Sequence, residues 1–329
     1  MEIPSAPMAT SEQNTPVVPA GTVAEPKVDG YRALVARWDD GSVLIRSRQG
    51  TDMTAKFPEI AEAAARLPDS AGSILLDGEL VVWESGRLAF QRLGKRLNAS
   101  PATVRRIRAE FPAHFIAFDL LHIGGRGSLI REPYRVRRAA LEKLFKQYKL
   151  TTPWQLCPAT TDIDTIREWL TDGVEKLGYE GVVWKAPEDP YRPGARGWHR
   201  YKVRATTEAV IGAVTGRITQ PQSLFLGRLD RDGRLRYVGR STPLRSAAAT
   251  KLGTLLSPAA PGHPWTGRRF SAAWGSSATI SPILVEPRIV AEISVDAAKD
   301  HGVYRHQVKY VRVRAELQPK QTPTFDDGD

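Results

Sequence analysis

The chain has 329 residues, of which 41% are hydrophobic and 25% are charged, and this composition is typical of a globular protein with two domains rather than one. No apolar run approaches the about 20 residues of a membrane span, no signal-peptide pattern opens the chain, and the single cysteine, Cys157, excludes an internal disulfide and a cysteine-cluster zinc site. We therefore expect a cytoplasmic protein without membrane attachment, and the formal net charge of +11 indicates either a polyanionic partner such as nucleic acid or a surface kept in solution by arginine.

Composition divides the chain into four predicted regions. Residues 1–20 are rich in Pro, Ser, Thr and Ala without periodicity, which is typical of a flexible leader. Residues 21–205 alternate β-rich runs with helical stretches. Residues 206–320 are mostly short β-rich runs separated by tight turns, as in a small barrel of the oligonucleotide-binding type. We place a hinge near 205–207 and a tail at 321–329.

Hydrophobic periodicity and turn residues predict the individual elements. A hairpin is expected to cross Asp39-Asp40-Gly41 and to join strands at 33–38 and 42–47. The apolar run at 73–83 predicts a strand that Asp77-Gly78-Glu79 interrupts. The remaining predictions are helices at 57–67, 101–110 and 135–149 and strands at 115–121, 181–184, 209–214, 224–229 and 235–239.

The segment Glu25-Pro26-Lys27-Val28-Asp29-Gly30-Tyr31-Arg32 contains a candidate nucleophile, Lys27. A lysine attacks only when neutral, and cations that folding brings close, such as Arg32 and Lys202, would lower its pKa, as would a bound divalent metal. In an extended segment Asp29 faces the same side as Lys27, and Gly30 supplies the turn into the next strand. The alternative is an ordinary hairpin corner, since Asp-Gly turns are common.

Two later segments place polar or aromatic residues inside apolar runs. Asp77-Gly78-Glu79 would be costly to bury unless a ribose hydroxyl or a metal binds it, the alternative being an exposed strand corner. Phe118 could offer its ring to a base, the alternative being a core phenylalanine. Both segments are therefore candidates for a nucleotide site.

Two further strands carry charge at their ends. Glu180 and Lys185 bracket a strand of buried type. Further on, Arg200, Lys202 and Arg204 alternate along one strand and share a face. Three cations on one face repel each other unless an anion lies there, and a phosphate is the natural candidate.

This ordered series resembles the nucleotidyltransferase motifs of ATP-dependent DNA ligases, and it is most similar to the compact bacterial ligases, including the ligase module of the non-homologous end-joining enzyme. The resemblance runs from about Glu25 to Arg314. It implies an α+β fold, in which an ATP-grasp-like adenylation domain of antiparallel sheets and helices (21–205) is followed by an OB-fold β-barrel (206–320).

The resemblance also implies roles for individual residues. Lys27 matches the adenylated lysine of the family's Lys-x-Asp-Gly motif, and Arg32 and Arg48 match positions that contact the adenylate and the DNA phosphates. Acidic ligands for a metal are Glu180, with Asp29 and Glu79 as further candidates. The other implied nucleotide contacts are Glu25 at adenine, Glu79 at ribose, Phe118 stacked on the base, and Lys185 at the end of its motif.

Two motifs depart from the family pattern. The family's Trp-x-Lys-x-Lys falls on Arg200 and Lys202 in a gapless match, so that the first lysine is replaced by arginine, whereas a register shifted by two would use Lys202 and Arg204. The C-terminal motif resembles Arg305-His306-Gln307 followed by a basic run, and either Arg312 or Arg314 is expected to orient pyrophosphate.

The activity that the resemblance implies is the sealing of nicks in duplex DNA with ATP and Mg²⁺ or Mn²⁺, through a covalent lysine–AMP. Nicked DNA is the implied partner of a monomer, with DNA-repair proteins as further candidates. Only 26 residues precede Lys27, so a leading helical DNA-binding domain is not expected, and the basic segment Arg92–Arg108 is a candidate phosphate-tracking surface or a solvated helix. The alternatives are an RNA ligase, a capping guanylyltransferase, and a nucleic-acid-binding protein without catalysis.

Overall fold

The computed structural model describes residues 1–13, 15–16, 18–271, 279–296 and 299–325. The chain forms two compact units, which meet in sequence between Val203 and Arg204. Each unit has its own hydrophobic core.

The first unit consists of eleven strands and five α-helices among its described residues. Its strands are β1 (Ala9–Glu12), β2 (Val23–Lys27), β3 (Tyr31–Arg37), β4 (Val43–Ser47), β5 (Ile74–Glu84), β6 (Arg87–Leu88), β7 (Ala113–Ile123), β8 (Gly127–Ser128), β9 (Trp154–Leu156), β10 (Gly181–Lys185) and β11 (Arg196–Lys202). Its helices are α1 (Pro58–Ala65), α2 (Phe90–Leu97), α3 (Pro101–Glu110), α4 (Tyr134–Gln147) and α5 (Ile163–Leu170), with short 3₁₀ turns at Thr54–Lys56 and Asp69–Ala71 and a π turn at Gly173–Leu177.

Two sheets organise this unit. The larger has the order β4-β3-β5-β7-β8, with β6 on β5 and β9 on β7, and the smaller has the order β1-β11-β10-β2. Alternation along the strands places Val35 and Leu76 in the core beneath the helices, whereas Leu34 and Leu75 face the opposite side and pack with Trp198 of the smaller sheet. The larger sheet is therefore buried on both faces, and the two sheets meet face to face.

The second unit is built around one curled sheet. Its elements are β12 (Arg204–Arg217), β13 (Gln220–Leu229), β14 (Leu235–Arg240), α6 (Ser246–Gly253), β15 (Phe270–Ser271), β16 (Thr279–Ile280), β17 (Ile283–Leu284), β18 (Val290–Asp296), β19 (Lys299–Asp300), β20 (Val303–Tyr304), β21 (Lys309–Val313) and a 3₁₀ turn at Pro319–Gln321. The order is β14-β13-β12-β18-β21, and a parallel bridge from Ser241 to Val308 joins the two ends. Five strands closed in this order, with α6 between β14 and β18 along the chain, form a barrel of the oligonucleotide-binding type.

The structure differs from the sequence-based predictions at three places. Residues 1–20 were predicted to be a flexible leader, but they contain β1, and Met8 before it is fully buried. The residues predicted as a hinge, 205–207, lie inside β12. Asp77-Gly78-Glu79 does not interrupt β5, because its backbone keeps its pairing with β3. The predicted hairpin over β3 and β4 is confirmed.

Candidate active site

Lys27 and Glu180 are brought together by strand pairing. Lys27 is the last residue of β2 and lies opposite Gly181, the first residue of β10, so the preceding Glu180 reaches the lysine. The Nζ of Lys27 lies 2.5 Å from Oε2 of Glu180, and the Nζ of Lys202 lies 2.9 Å from Oε1. Gly181 permits the close pairing of β10 with β11, because a Cβ there would lie 2.0 Å from the carbonyl oxygen of Tyr201.

The electrostatics of this cluster contradict the expected low pKa of Lys27. Burial lowers the pKa of Lys27, but the carboxylates of Glu180, Glu79 and Asp29 outweigh burial, so the net shift is upward. Burial alone would raise the pKa of Glu180, but Lys27 and Lys202 lower it to about 2. Lys202 pairs with the same carboxylate rather than repelling Lys27. The ligand-free site therefore holds Lys27 as an ammonium ion.

Glu79 is the carboxylate of this cluster that has no protein partner. Within the described residues it makes no hydrogen bond or ion pair, and it faces two neighbouring cavities. Burial raises the pKa of Glu79 to about 8, although Lys27 and Arg32 act against this shift. A half-buried carboxylate that lines a cavity and makes no hydrogen bond or ion pair fits an oxygen ligand for Mg²⁺ or Mn²⁺, and Asp29 and Glu180 are close enough to influence the same ionisations.

Gly30 has a different role from the turn that the sequence suggested. Its backbone does not adopt a positive φ. A Cβ at Gly30 would instead lie 2.1 Å from the carbonyl oxygen of Leu80 and 2.8 Å from Cγ of Glu79. Glycine is therefore needed where the segment after Lys27 passes β5 at close range, and a larger residue there would displace Glu79.

A buried acid, Glu25, lies two residues before Lys27 in β2. Glu25 is 2% exposed, and its carboxylate accepts a hydrogen bond from the hydroxyl of Tyr134 at 2.5 Å and pairs with Nζ of Lys185 at 2.7 Å. Lys185 is 1% exposed and also donates to the carbonyl oxygen of Phe118. Tyr134 could not be predicted from the sequence, since its helix gives no sign of which strand it will cover.

Phe118 lies among cations and a second ring. The guanidinium of Arg32 lies 5.0 Å from its ring centre, Nζ of Lys185 lies 4.8 Å away, and the ring of Trp198 meets it edge to face at 5.9 Å. Phe118 is half-buried and lines the cavity that Lys27 lines. An aromatic face beside fixed positive charges is suited to a nucleobase that carries phosphates.

Arg32 explains why Asp77 is tolerated inside β5. Asp77 is fully buried and receives two hydrogen bonds from Arg32, at 2.9 and 2.6 Å, and one from the hydroxyl of Tyr191. The partner of Asp77 is thus a protein cation and not the ligand that the sequence suggested. Burial would lower the pKa of Arg32, but Asp77 more than compensates and raises it.

Two cavities meet at this cluster. One of about 160 Å³ is lined by Lys27, Glu25 and Phe118, and the other, of about 610 Å³, extends past Tyr31. Arg32, Arg48 and Glu79 line both. All other predicted site residues of the first unit line one or both cavities, whereas Asp29, Glu180 and Lys202 line neither. Asp29 and Glu180 act on the ionisation of Lys27 and Glu79, and Lys202 pairs with Glu180. Thr10 and Arg200 also line the smaller cavity.

The last predicted site residue, Arg312, belongs to the second unit. It lies on β21, is 58% exposed, and pairs with Glu292 on β18 at 2.9 Å. Arg314, the alternative residue for this role, pairs with Glu208, Glu292 and Glu316. Arg312 is the less constrained of the two, so the nucleotide role predicted for it stays a prediction.

The basic segment Arg92–Arg108 is less available than the sequence suggested. Arg96 is fully buried and bonded to Glu59, Arg92 pairs with Glu84, and Arg108 pairs with Glu62 through two hydrogen bonds. Its exposed cations are Lys95, Arg105 and Arg106. Cys157 is buried, as expected for a packed thiol.

A lysine at a cavity with an acid pair and an aromatic wall, in a chain that continues into an oligonucleotide-binding barrel, defines a nucleotidyltransferase of the ligase type. The profile of the ATP dependent DNA ligase domain matches residues 7–204. The chain belongs to the ATP-dependent DNA ligase family, and it is a phosphodiester-forming enzyme that uses ATP through a covalent AMP intermediate. The family assignment decides against the capping, RNA-ligase and non-catalytic alternatives.

Individual relatives support the assignment. DNA ligase C1 of Mycolicibacterium smegmatis is 32% identical and covers 93% of this chain, which spans 88% of that protein. The multifunctional non-homologous end joining DNA repair protein LigD of Mycobacterium tuberculosis is 36% identical over 71% of this chain and 29% of its own length. The solved ligase domain of M. tuberculosis LigD matches with a TM-score of 0.52 and 27% identity, covering 97% of both chains. Among the described residues, no helix is long and apolar enough to cross a membrane.

Proposed function

We propose that Lys27 is the residue that carries AMP and that the smaller cavity holds the adenylate. The observation that supports this most directly is the position of Lys27, whose amino group pairs with Glu180 while the side chain lines a cavity walled by Phe118 and Glu25. A pairing this close fixes the amino group in direction as well as in charge. Within the described part of the chain, two lysines line this cavity, Lys27 and Lys185, and Lys185 is fully buried.

The chemistry consists of three displacements at phosphorus. Lys27 loses a proton, its Nζ forms a bond to the α-phosphorus of ATP, and the bond to the bridging oxygen breaks, so that pyrophosphate leaves with the electron pair. An oxygen of the 5′-phosphate at a nick then bonds to the AMP phosphorus as the bond to Nζ breaks. Finally the 3′-hydroxyl, losing its proton, attacks the activated 5′-phosphate, and AMP leaves. Positioning and charge neutralisation dominate such steps.

The surrounding residues divide this work between base and phosphates. Glu25 faces the exocyclic amine of adenine, with Lys185 and Tyr134 holding it, and Phe118 packs against the base. Glu79 meets the ribose. The cations assigned to the phosphates are Arg32, Arg48, Arg200, Lys202 and, from the second unit, Arg312.

The carboxylates of Glu180, Asp29 and Glu79 would hold a divalent cation, Mg²⁺ or Mn²⁺. When bound, this cation neutralises charge on the triphosphate and lowers the pKa of the neighbouring lysine. The residues themselves keep Lys27 oriented, since Glu180 and Lys202 form a fixed pair beside it.

For the partner, we propose a nick in duplex DNA bound by a monomeric enzyme, with a role in DNA repair and DNA-repair proteins as further partners. The similarity to LigD, whose name describes it as a DNA repair protein, supports the repair role. Exposed Lys95, Arg105 and Arg106 are candidate phosphate contacts.

The test is the covalent adduct. The protein is incubated with α-labelled ATP and Mg²⁺, denatured, and analysed for label on the chain and by mass spectrometry for the labelled residue. Label on Lys27, lost in Lys27→Ala and kept in the exposed control Lys146→Ala, is the expected result. Label on another residue, or an adduct that survives in Lys27→Ala, would refute the assignment. A singly nicked duplex with a 5′-phosphate then tests sealing.

A further inference from the structure

The N-terminal strand β1 runs along the edge of the sheet that carries Lys27. It pairs in parallel with β11, with Thr10 opposite Trp198 and Glu12 opposite Arg200. The backbone N–H of Gln13 donates to the carbonyl oxygen of Arg200 at 2.8 Å. The backbone of Arg200 is thus bonded directly to the chain segment that precedes the nucleophile.

Burial of Met8 fixes the position of this strand. Met8 is fully buried, its N–H donates to the hydroxyl of Tyr191 at 2.9 Å, and its sulfur accepts from the N–H of Arg192 at 3.2 Å. A Cβ at Gly197 would lie 1.9 Å from Cε of Met8, so β11 has glycine where the methionine packs. β1 is therefore anchored at one defined register.

The side chain of Thr10 holds the guanidinium of Arg200. Nη1 of Arg200 donates to Oγ1 of Thr10 at 3.0 Å, and both residues line the cavity of Lys27. The carboxylate of Glu12 lies 3.8 Å from Nη2 and is 37% exposed, so its pull is weak. Nε of Arg200 is buried without a hydrogen-bond partner in the described structure. The principal partner of the guanidinium is a neutral hydroxyl, which orients the cation without cancelling its charge.

An arginine needs such orientation more than a lysine does. The guanidinium is planar and donates in fixed directions, so a rotated group loses its match to a phosphate, whereas an ammonium donates in any direction. We infer that Thr10 is a positioning residue of the adenylation site: β1 completes the cavity, and the Thr10 hydroxyl aims Arg200 at the phosphates of ATP. This inference rests on the proposed placement of ATP in the Lys27 cavity.

The test measures ATP binding separately from chemistry. In the Lys27→Ala background, the Kd for ATP is compared for Thr10, Thr10→Val, Thr10→Ser and the control Ser11→Ala, whose side chain points to the other face of the strand. Thr10→Val keeps the shape and removes the acceptor, and we expect it to weaken ATP binding about 3- to 10-fold. Thr10→Ser should restore most of the affinity, Ser11→Ala should leave it unchanged, and the melting temperature should be similar in all four.

A double-variant cycle identifies the route of the effect. If Thr10 acts through Arg200, Thr10→Val adds nothing when Arg200→Ala is already present. An unchanged Kd in Thr10→Val, an equal loss in Thr10→Ser, or a full additional loss in Arg200→Ala would each overturn the inference. Failure of the proposed function would be recognised by a different result, namely the absence of an adduct on Lys27 in the unaltered protein.

Discussion

The amino group of Lys27 and the carboxylate of Glu180 form a contact of 2.5 Å, and the second oxygen of Glu180 is occupied by Lys202 at 2.9 Å. The nucleophile is therefore stored in its charged form, with a pKa above the ordinary lysine value. A neutral amine has to be produced when substrate and metal arrive. An ammonium group is not a nucleophile, so Lys27 is unreactive in the ligand-free site.

Replacing Glu180 by Gln should make Lys27 more reactive towards an amine reagent in the absence of ATP and metal. Removal of the carboxylate lowers the pKa of Lys27 and raises the neutral fraction at any pH below that pKa. The measurement is the rate of Lys27 labelling between pH 8 and about 10, followed by mass spectrometry with Lys146 as internal reference. Labelling of Lys27 that is unchanged or slower in Glu180→Gln would contradict the storage role.

Replacing Glu79 by Gln should stabilise the ligand-free protein at high pH. The pKa of Glu79 is about 8 in the folded protein and 4.5 ordinarily, so its contribution to stability is complete below 4.5 and is lost as pH rises towards 8. A glutamine stays neutral and loses nothing. The melting temperature of Glu79→Gln should therefore exceed that of the unaltered protein clearly at pH 8.5 and only slightly at pH 5. The exposed control Glu168→Gln should show no such pH dependence. A difference in melting temperature between Glu79→Gln and the unaltered protein that decreases as pH rises would refute the raised pKa of Glu79.

Replacing Tyr134 by Phe should weaken the discrimination between ATP and GTP. The variant deprives the buried Glu25 carboxylate of a 2.5 Å hydrogen bond, and a bond to a charged group contributes about 1.5–3 kcal/mol. We expect a lower melting temperature and a smaller ratio of kcat/KM for adduct formation with ATP over GTP. Tyr148→Phe removes an exposed hydrogen bond to Ser70 and serves as the control. An unchanged ratio of kcat/KM with ATP over GTP would show that Tyr134 does not contribute to base recognition.

Replacing Gly30 by Ala should abolish adduct formation, whereas Gly41→Ala should not. The new methyl group at Gly30 would collide with the carbonyl oxygen of Leu80 and displace Glu79. Gly41 has a φ of 79° but open space around it, so alanine there costs about 1–2 kcal/mol of backbone strain without a collision. Adduct yield and melting temperature are measured together. Normal adduct formation by Gly30→Ala would show that the crossing of β5 tolerates a wider gap.

Replacing Arg105 and Arg106 together by Ala should weaken binding to nicked DNA and reduce its salt dependence. Each phosphate contact that is lost lowers the slope of log K against log salt by about 1. Arg108→Ala is the comparison, since Arg108 is held by Glu62 and is expected to contribute less. Binding is measured by fluorescence anisotropy at several salt concentrations. If DNA binding by the unaltered protein did not depend on salt concentration, the hypothesis of a phosphate-tracking surface would be refuted.

Local patterns in the sequence were sufficient for much of the fold. Apolar runs in the sequence predict the strands β3, β5, β7 and β10 without knowledge of their neighbours in the sheet. In the same way, a Ser-Pro pair marks the start of α3, where Ser100 caps the helix. β1 could not be predicted in this way. Its stability depends on Met8 and on partners almost 190 residues further along the chain, and no local pattern reports them.

At the candidate site, too, local sequence patterns predict some features and three-dimensional contacts determine the others. The identities of Lys27, Glu79 and Phe118 stand in recognisable motifs, but their electrostatics depend on pairing across strands. The expected cationic neighbours of Lys27 are present, yet Lys202 binds Glu180 and Arg32 binds Asp77, so neither lowers the pKa as predicted. Tyr134 and Thr10 carry no motif at all, and only the three-dimensional contacts with Glu25 and Arg200 identify them.

The buried Glu25 has a consequence for the thermodynamics of nucleotide binding. Tyr134, Lys185 and, more distantly, Arg138 restrain its carboxylate before any ligand arrives. A recognition group that is already immobile loses little conformational entropy when a base docks against it. Affinity for the base should therefore arise from a rigid receptor rather than from ordering on binding, and the side chains around Glu25 should move little between the free and the adenylated enzyme.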